Sequence, residues 1–182
     1  MPIIMPSPIT GKRPEIDETA YIAPTAVIIG DVSIGEWSNV WFGAVIRGDD
    51  GSIKIRKNTS IQENVTIHIE KGTSVIIGSN CIIGHHAMIH GPAEIGDGCL
   101  LGIGCNVLHN TKMNDGSMIA AGAVITNKEV PARQLWAGVP AKFLKALPEE
   151  EEFIGEKTAG DYVINGKDFR EFFEKNPGFT KF

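Results

Sequence analysis

The chain has 182 residues, of which 42% are hydrophobic, and a formal net charge of -5 at pH 7. This length suits one domain with a continuous core, and the acidic balance argues against a nucleic-acid or anionic-membrane partner. No apolar run reaches the length of a membrane span, and the first residues lack the basic and apolar segments of a secretory signal. The sequence therefore predicts a cytoplasmic protein that binds neither nucleic acid nor membrane.

An aliphatic residue returns at every sixth position through most of the chain. The run is interrupted twice, by a step of nine after Ile46 and by a step of ten after Ile67. A helix has a period of 3.6 and a strand a period of two, whereas a coil of short strands with a corner every six residues has this spacing. The sequence therefore predicts an all-β solenoid with a core of Ile22, Ile28, Ile34, Val40, Ile46, Ile55, Ile61, Ile67, Ile77, Ile83, Ile89, Ile95, Leu101, Val107, Met113, Ile119 and Ile125.

The repeat divides the chain into a coil and two flanks. Residues 1–20 precede the regular coil, and we expect them to pair with it or cap it, because the open ends of a solenoid must be covered. We assign residues 1–130 to the coil with its N-terminal cap. Residues 131–182 are assigned to a C-terminal helical segment that packs on the coil within the same structural domain.

Two of the five histidines hold the same place in successive coils. His68 and His90 each follow a core isoleucine, and Arg47 does so one coil earlier. Adjacent coils stack about 4.8 Å apart, like paired strands, so we expect the two imidazoles to lie close enough to share a metal. Both interruptions of the repeat, after Arg47 and after His68, lengthen the same edge of the coil. This favours that edge as the binding side. His86 and His109 are predicted to be ordinary surface residues.

The three cysteines occupy a different kind of position. Each stands four residues after a core aliphatic residue, where most repeats have a small side chain: Cys81, Cys99 and Cys105. No CxxC spacing accompanies them, so we expect buried thiols rather than metal ligands.

The period ends at Pro131, and helical spacing follows. We expect a helix to begin near Pro140 and to end before Pro148. The residues that it would turn toward the coil are Phe143, Leu144 and Leu147. The glutamates at 149–152 are expected to be solvated. Another helix is predicted at residues 167–175, where three phenylalanines at helical spacing pack against a neighbouring surface: Phe169, Phe172 and Phe173.

Three short motifs give the chain a resemblance to a known family. They are Arg47-Gly48-Asp49, Gln62-Glu63 followed by His68, and Gly84-His85 with His90 five residues on. With these motifs on a repeat of six residues, the chain resembles the gamma-class carbonic anhydrases of the hexapeptide-repeat superfamily. The likeness reaches Gly138-Val139-Pro140-Ala141-Lys142, a segment that hexapeptide acyltransferases share. It implies a left-handed parallel β-helix, with three sextets per coil, followed by a C-terminal α-helix.

The resemblance implies a metal site for the reversible hydration of CO2 to bicarbonate. His68, His85 and His90 match the metal ligands. The implied metal is Zn²⁺, and Fe²⁺ or Co²⁺ also suits imidazole ligands. Three neutral imidazoles leave a fourth position on zinc for water, whose pKa the cation lowers to about 7.

Other residues match the family by position. Gln62 matches the residue that orients the metal-bound hydroxide, and Arg47 with Asp49 matches an ion pair between subunits. Glu63 stands where the family usually has Asp, and Tyr162 resembles a C-terminal tyrosine that reaches the site. Asp50, Glu63 and Glu70 are candidates for the proton shuttle. Only 17 positions separate His68 from His85, so the long acidic loop that carries the shuttle in the best-known members is absent.

His85 belongs to a different sextet from the other two histidines. It precedes His90 by five residues, which span about 16 Å in an extended strand. A zinc ion needs every ligand nitrogen about 2 Å away, so one chain does not readily supply all three. We therefore expect the site to form between subunits of the homotrimer that the resemblance implies.

Three other functions stay open. A metal-dependent thioesterase of the same family would use the same histidines on an acyl-CoA. A hexapeptide acyltransferase would use one histidine as a general base and leave the other two unexplained. A non-catalytic metal-binding trimer would keep the ligands without turnover.

Overall fold

The aliphatic period folds into a parallel β-solenoid of about seven turns followed by one α-helix, which confirms the predicted fold class. The structure is a computed structural model that describes residues 1–149 and 153–180. Its strands are Ile3–Met5 (β1), Glu15–Ile16 (β2), Tyr21–Ile22 (β3), Val27–Ile34 (β4), Asn39–Val40 (β5), Val45–Ile55 (β6), Ser60–Ile61 (β7), Thr66–His68 (β8), Ser74–Ile77 (β9), Ile82–Ile83 (β10), Met88–His90 (β11), Ala93–Ile95 (β12), Leu100–Leu101 (β13), Asn106–Val107 (β14), Thr111–Met113 (β15), Met118–Ile119 (β16), Val124–Ile125 (β17), Glu129–Val130 (β18), Gln134–Gly138 (β19) and Ala141–Ala146 (β20). The helix is Ile154–Lys175 (α1), and a short 3-10 helix follows at Pro177–Thr180.

Equivalent strands of successive coils pair in parallel. Ile46 pairs with Ile67, Ile67 with Ile89, and Ile89 with Val107. The long strands β4 and β6 continue past a corner and join two faces of the solenoid into one twelve-stranded sheet. The third face is an eight-stranded sheet that runs from β3 to β20. This in-register stacking keeps residues of equal sextet position side by side along the whole solenoid.

The predicted core lies inside the coil. Of the seventeen aliphatic residues, all are buried except Ile22, which is partly buried at the first coil. The three cysteines are free and fully buried, as predicted. Burial of an aliphatic side chain stabilises a fold by about 1.5–3 kcal/mol. Burial of these repeated side chains therefore supplies most of the driving force for folding.

The first coil is covered by the leading segment, as predicted. Strand β1 pairs with Val27–Ile29 of β4, and β2 pairs with Ser33 and Ile34 at the other end of β4. The side chains of β1 are exposed. Among residues 1–149 and 153–180, no helix combines the length and the apolar character needed to cross a bilayer.

The helix predicted near Pro140 is wrong, because this segment forms a β-hairpin. Strand β19 continues the third face by pairing with β16, and β20 turns back antiparallel onto β19. The open edge of β16 offers unpaired backbone groups, and pairing with them outweighs the local helical spacing. Phe143 and Leu144, which the helix would have buried, are 53% and 60% exposed on β20.

Helix α1 contains the predicted segment 167–175 and packs on the third face over β3, β5, β7 and β10. Phe169 contacts Trp41, with ring centroids 5.1 Å apart, and Phe173 contacts Phe42 at 6.4 Å. These phenylalanines therefore pack against the coil of their own chain. Residues 150–152 of the predicted solvated run lie outside the described residues.

Two glycines of α1 give a matched test of how closely the helix docks. A Cβ at Gly155 would lie 2.4 Å from the carbonyl oxygen of Gly98, whereas a Cβ at Gly160 meets nothing within 4 Å. We expect Gly155→Ala to destabilise the chain by about 1–3 kcal/mol through overpacking. Gly160→Ala should stabilise it by about 0.5–1 kcal/mol through the better helix propensity of alanine. Urea unfolding checks both, and equal effects of the two variants would contradict this docking.

Candidate metal centre

The histidine column forms as the sequence predicts. His68 ends β8 and His90 ends β11, and the two residues are direct partners in the parallel register. Their rings meet edge to face, with centroids 5.5 Å apart and planes at 82°. Arg47 is the register partner of His68 one coil earlier. The residue before each histidine is a fully buried isoleucine, so alternation along the strand turns the imidazoles outward.

A backbone contact fixes the orientation of His68. Its Nδ1 lies 2.9 Å from the carbonyl oxygen of Arg47. A carbonyl oxygen only accepts hydrogen bonds, so Nδ1 carries a proton, and in the neutral ring Nε2 then keeps its lone pair. Metal-binding histidines are commonly held in this way by their second ring nitrogen. In the neutral ring Nε2 is therefore the nitrogen that is free to accept a metal.

An acidic group lies beside the same histidine. Asp49 forms an ion pair with Arg47 within the chain, and its Oδ1 lies 3.9 Å from Nδ1 of His68. Burial alone raises the pKa of Asp49, but the hydrogen bond and charge of Arg47 outweigh it, and the pKa falls below its usual value. The carboxylate thus stays ionised and adds negative charge next to the imidazole.

A second group of predicted residues gathers at a different corner. His85 lies between β10 and β11, so it stands at the opposite end of β11 from His90. Its backbone N–H donates to Oε1 of Gln62 at 3.0 Å. Gln62 itself is buried, with 4% of its surface exposed. The oxygen of the amide is therefore engaged, and its NH2 group is the part of Gln62 that can donate elsewhere.

Glu63 accompanies His85. Its Oε2 lies 2.7 Å from Nδ1 of the imidazole. The ring N–H does not point at this oxygen, so the contact is not an aligned hydrogen bond, and Oε2 is buried without another partner among the described residues. The other two shuttle candidates lie elsewhere. Asp50 is 3.8 Å from Lys71 within the lengthened edge, and Glu70 is exposed there.

Tyr162 reaches the second group from helix α1. Its ring stands edge-on to Trp41, with centroids 5.8 Å apart. Burial and the charge of Glu63 raise the pKa of Tyr162, while a hydrogen bond with Gln62 lowers it, and the net shift is upward. The phenol therefore keeps its proton and can act as a hydrogen-bond donor.

Two further residues at this corner, Tyr21 and Trp41, were not predicted from the sequence. The hydroxyl of Tyr21 is buried without a hydrogen-bond partner among the described residues, and burial together with Glu63 raises the pKa of Tyr21. The indole N–H of Trp41 donates to Asn39 at 2.6 Å and to Ser60 at 3.2 Å. These residues stand at outward positions beside core aliphatic residues. Polar or aromatic side chains at such positions in the coils next to Gln62 are a signal that could have found them.

The histidine column of His68 and His90 and the second group around His85 do not form one site within one chain. Among residues 1–149 and 153–180, no three His, Cys, Asp or Glu side chains come close enough together to hold a metal ion. The joining of His85 to the histidine pair of another subunit stays a prediction. His86 is exposed and holds a left-handed corner with φ 59°, and neither it nor His109 belongs to the two groups.

The donor set fits a metal such as zinc. Two in-register imidazoles face outward, and Nε2 of His68 is left free by the contact of Nδ1 with a carbonyl oxygen. His85 is a third imidazole, and Oε2 of Glu63 lies 2.7 Å from its Nδ1 without an aligned hydrogen bond. Imidazole nitrogens held by carbonyl or carboxylate groups are typical of zinc sites.

The chain is similar to several named proteins. Residues 92–127 match the family described as "Bacterial transferase hexapeptide (six repeats)". The chain is 43% identical to the "Probable carbonic anhydrase" of Methanocaldococcus jannaschii over 81% of this chain and 93% of that one. It is 37% identical to "Gamma carbonic anhydrase 1, mitochondrial" of Arabidopsis thaliana over 83% of this chain, and spans only 57% of that protein's length.

Two solved structures share the fold. The hexapeptide transferase family protein from Anaplasma phagocytophilum is 38% identical, with a TM-score of 0.85, and the match covers 92% of this chain and 98% of that one. The putative acetyltransferase of Bacillus cereus is 30% identical, with a TM-score of 0.88, and the match covers 94% of this chain and 98% of that one.

Proposed function

Because the chain belongs to the gamma carbonic anhydrase family of hexapeptide-repeat proteins, we propose that it catalyses the reversible hydration of CO2 to bicarbonate. The site would lie between subunits of a homotrimer and hold one divalent metal. His68 and His90 of one subunit and His85 of the next would bind it. The proposal rests chiefly on one observation, the in-register pair of outward imidazoles with His68 oriented by the Arg47 carbonyl.

Zn²⁺ is the metal that we propose, and when bound it supplies hydroxide at neutral pH by lowering the pKa of water to about 7. The chain's own residues then act on the reactants. The carbonyl oxygen of Arg47 accepts a hydrogen bond from Nδ1 of His68, and Asp49 lies 3.9 Å from the same nitrogen. Glu63, whose Oε2 is buried, lies beside His85. Tyr162, which keeps its proton, would orient the reacting oxygens from the side of helix α1.

Gln62 would stabilise charge that develops on the substrate oxygen. Its Oε1 is fixed by the N–H of His85, so its NH2 group is the donor that faces the reaction. We expect Gln62→Ala to retain metal and to lower the CO2 hydration rate by about 10-fold to 1,000-fold. Stopped-flow assays and metal analysis of the same samples check this.

A second variant separates the donor from the acceptor of this side chain. Gln62→Glu keeps an oxygen that can accept from the His85 N–H, but it loses the NH2 donor. We expect its rate to fall as in Gln62→Ala. A near-normal rate in Gln62→Glu would mean that the residue serves only to hold the backbone of His85.

The proposed activity is tested with protein loaded separately with Zn²⁺ and with Fe²⁺ under anaerobic conditions. Stopped-flow CO2 hydration should rise above the buffer rate with at least one of these metals. Metal-loaded trimers with no rate above buffer would exclude the activity and leave the non-catalytic metal-binding trimer.

A cytoplasmic location stays a prediction, and cell fractionation tests it.

Acyl transfer is the second candidate, favoured by the likeness to a hexapeptide transferase family protein and to a putative acetyltransferase. An acyltransferase of this kind needs one histidine as a general base and no metal. The related thioesterase would need the metal and hydrolyse an acyl-CoA. Assays of acyl-CoA consumption, with and without an acceptor amine and with and without metal, separate these functions from CO2 hydration.

A further inference from the structure

One serine of the N-terminal loop, residues 6–12, is buried although its neighbours are exposed. Ser7 is 2% exposed, whereas Ile9, Thr10, Gly11 and Lys12 are open to solvent. Its hydroxyl accepts the N–H groups of Ile9 and Thr10, each at 3.0 Å. The same hydroxyl donates to the carbonyl oxygen of Asp49 at 2.6 Å. The loop is thus tied to a residue 42 positions away that stands next to the histidine column.

A short chain of contacts links this hydroxyl to His68. Ser7 holds the carbonyl of Asp49, and the side chain of Asp49 pairs with Arg47 and lies 3.9 Å from the imidazole. The carbonyl of Arg47 accepts the Nδ1 proton of His68. Gly48 lies close against the neighbouring coil, since a Cβ there would lie 2.6 Å from the carbonyl oxygen of Asp31. The segment 47–49 is therefore held between the loop on one side and the backbone of the coil on the other.

We propose that the N-terminal loop positions the metal-binding histidine, with Ser7 fixing the segment 47–49 so that His68 keeps its proton on Nδ1 and presents Nε2 outward. Ser7 is a positioning residue that acts through Asp49 and Arg47. The role in metal binding rests on the proposed function, but the orientation of His68 does not depend on it. Thr10, whose hydroxyl lies 3.4 Å from the same carbonyl oxygen, is a weaker second tie.

The tautomer of His68 is measured in metal-free protein labelled with ¹⁵N-histidine. With five histidines in the chain, long-range ¹H–¹⁵N spectra resolve which ring nitrogen of each carries the proton. Wild-type protein should have His68 protonated on Nδ1. We expect Ser7→Ala to give a mixture of both tautomers, and Ser7→Cys, whose thiol is a weak donor, to give a smaller change in the same direction.

Cobalt(II) binding is the second readout. The affinity should fall about 10-fold in Ser7→Ala, the lower end of the range for groups that orient a metal ligand. Thr73→Ala is the matched control, because it removes a hydroxyl that donates to the Glu70 carbonyl at 2.7 Å in the adjoining loop without a link to Asp49. It should leave both the tautomer and the affinity at wild-type values.

A His68 tautomer that stays unchanged in whichever Ser7 variant folds overturns the positioning role. A tautomer that shifts equally in Thr73→Ala also overturns it, since the effect would then come from general loosening of the edge. Wild-type protein that binds no Co²⁺ would count against the proposed metal site alone, because the tautomer is measured without metal.

Discussion

We expect His90→Ala to lose the proposed metal and to leave the coil folded. The residue ends β11 on the outer side of the strand, directly after the fully buried Ile89, so the core loses nothing with its ring. An outward substitution of this kind changes the free energy of unfolding by about 0.5 kcal/mol or less. A metal held by three imidazoles loses a third of its protein ligands, and we expect the metal content and the CO2 hydration rate to fall to background.

The matched control for this variant is His86→Asn. His86 is adjacent to His85 but exposed, with φ 59°, a conformation that asparagine tolerates. The His86→Asn variant should keep its full metal content, measured by mass spectrometry of purified trimers. Its midpoint of thermal unfolding should be unchanged. If His90→Ala also retains its metal, then the ligand assignment is wrong.

We expect mixed trimers of His68→Ala and His85→Ala chains to regain metal that neither variant holds alone. Each homotrimer lacks one ligand at every interface, so both should be empty. In a mixed trimer, an interface is complete where a chain with an intact His68 and His90 meets a chain with an intact His85. Either composition of mixed trimer has one complete interface out of three, so the isolated mixed trimers should hold about a third of the wild-type metal, because each head-to-tail interface is an ordered pair of chains.

The physical reason for this expectation is the position of His85. It lies in the corner between β10 and β11, whereas His90 ends β11, and no three suitable side chains of the described residues gather within one chain. Co-expression with two affinity tags isolates the mixed trimers for metal analysis. Mixed trimers that form yet hold no metal would place the ligands within one chain and refute the shared site.

The repeat made the core and the histidine column predictable. A period of six with alternation along each strand places one aliphatic residue inside, and it turns the next residue outward. The stacking of His68 on His90 follows once the coil register is known. The two insertions lengthen one edge of the coil and leave the pairing of these strands in register. The position of Gln62 near His85 follows in the same way, because Gln62 comes directly after Ile61 and His85 comes two residues after Ile83, the register partner of Ile61.

Local patterns did not predict the parts that depend on unpaired edges or distant contacts. Phe143 and Leu144 have helical spacing, but the open edge of β16 drew their segment into a hairpin. The contact between Ser7 and Asp49 joins residues 42 apart through one hydroxyl, and no periodicity predicts it. Tyr162 was assigned from family resemblance, and its position depends on how α1 docks on Trp41.

The hairpin of β19 and β20 also bears on aggregation. A stack of parallel strands ends in a row of unpaired backbone groups, which invites another chain to add to it and extend a fibre. Here the last strand of the third face runs antiparallel to all before it and carries the exposed Lys142 and Lys145. A reversed strand with positive charges is a poor template for a further parallel coil, so the third face is protected at this end against the addition of another chain.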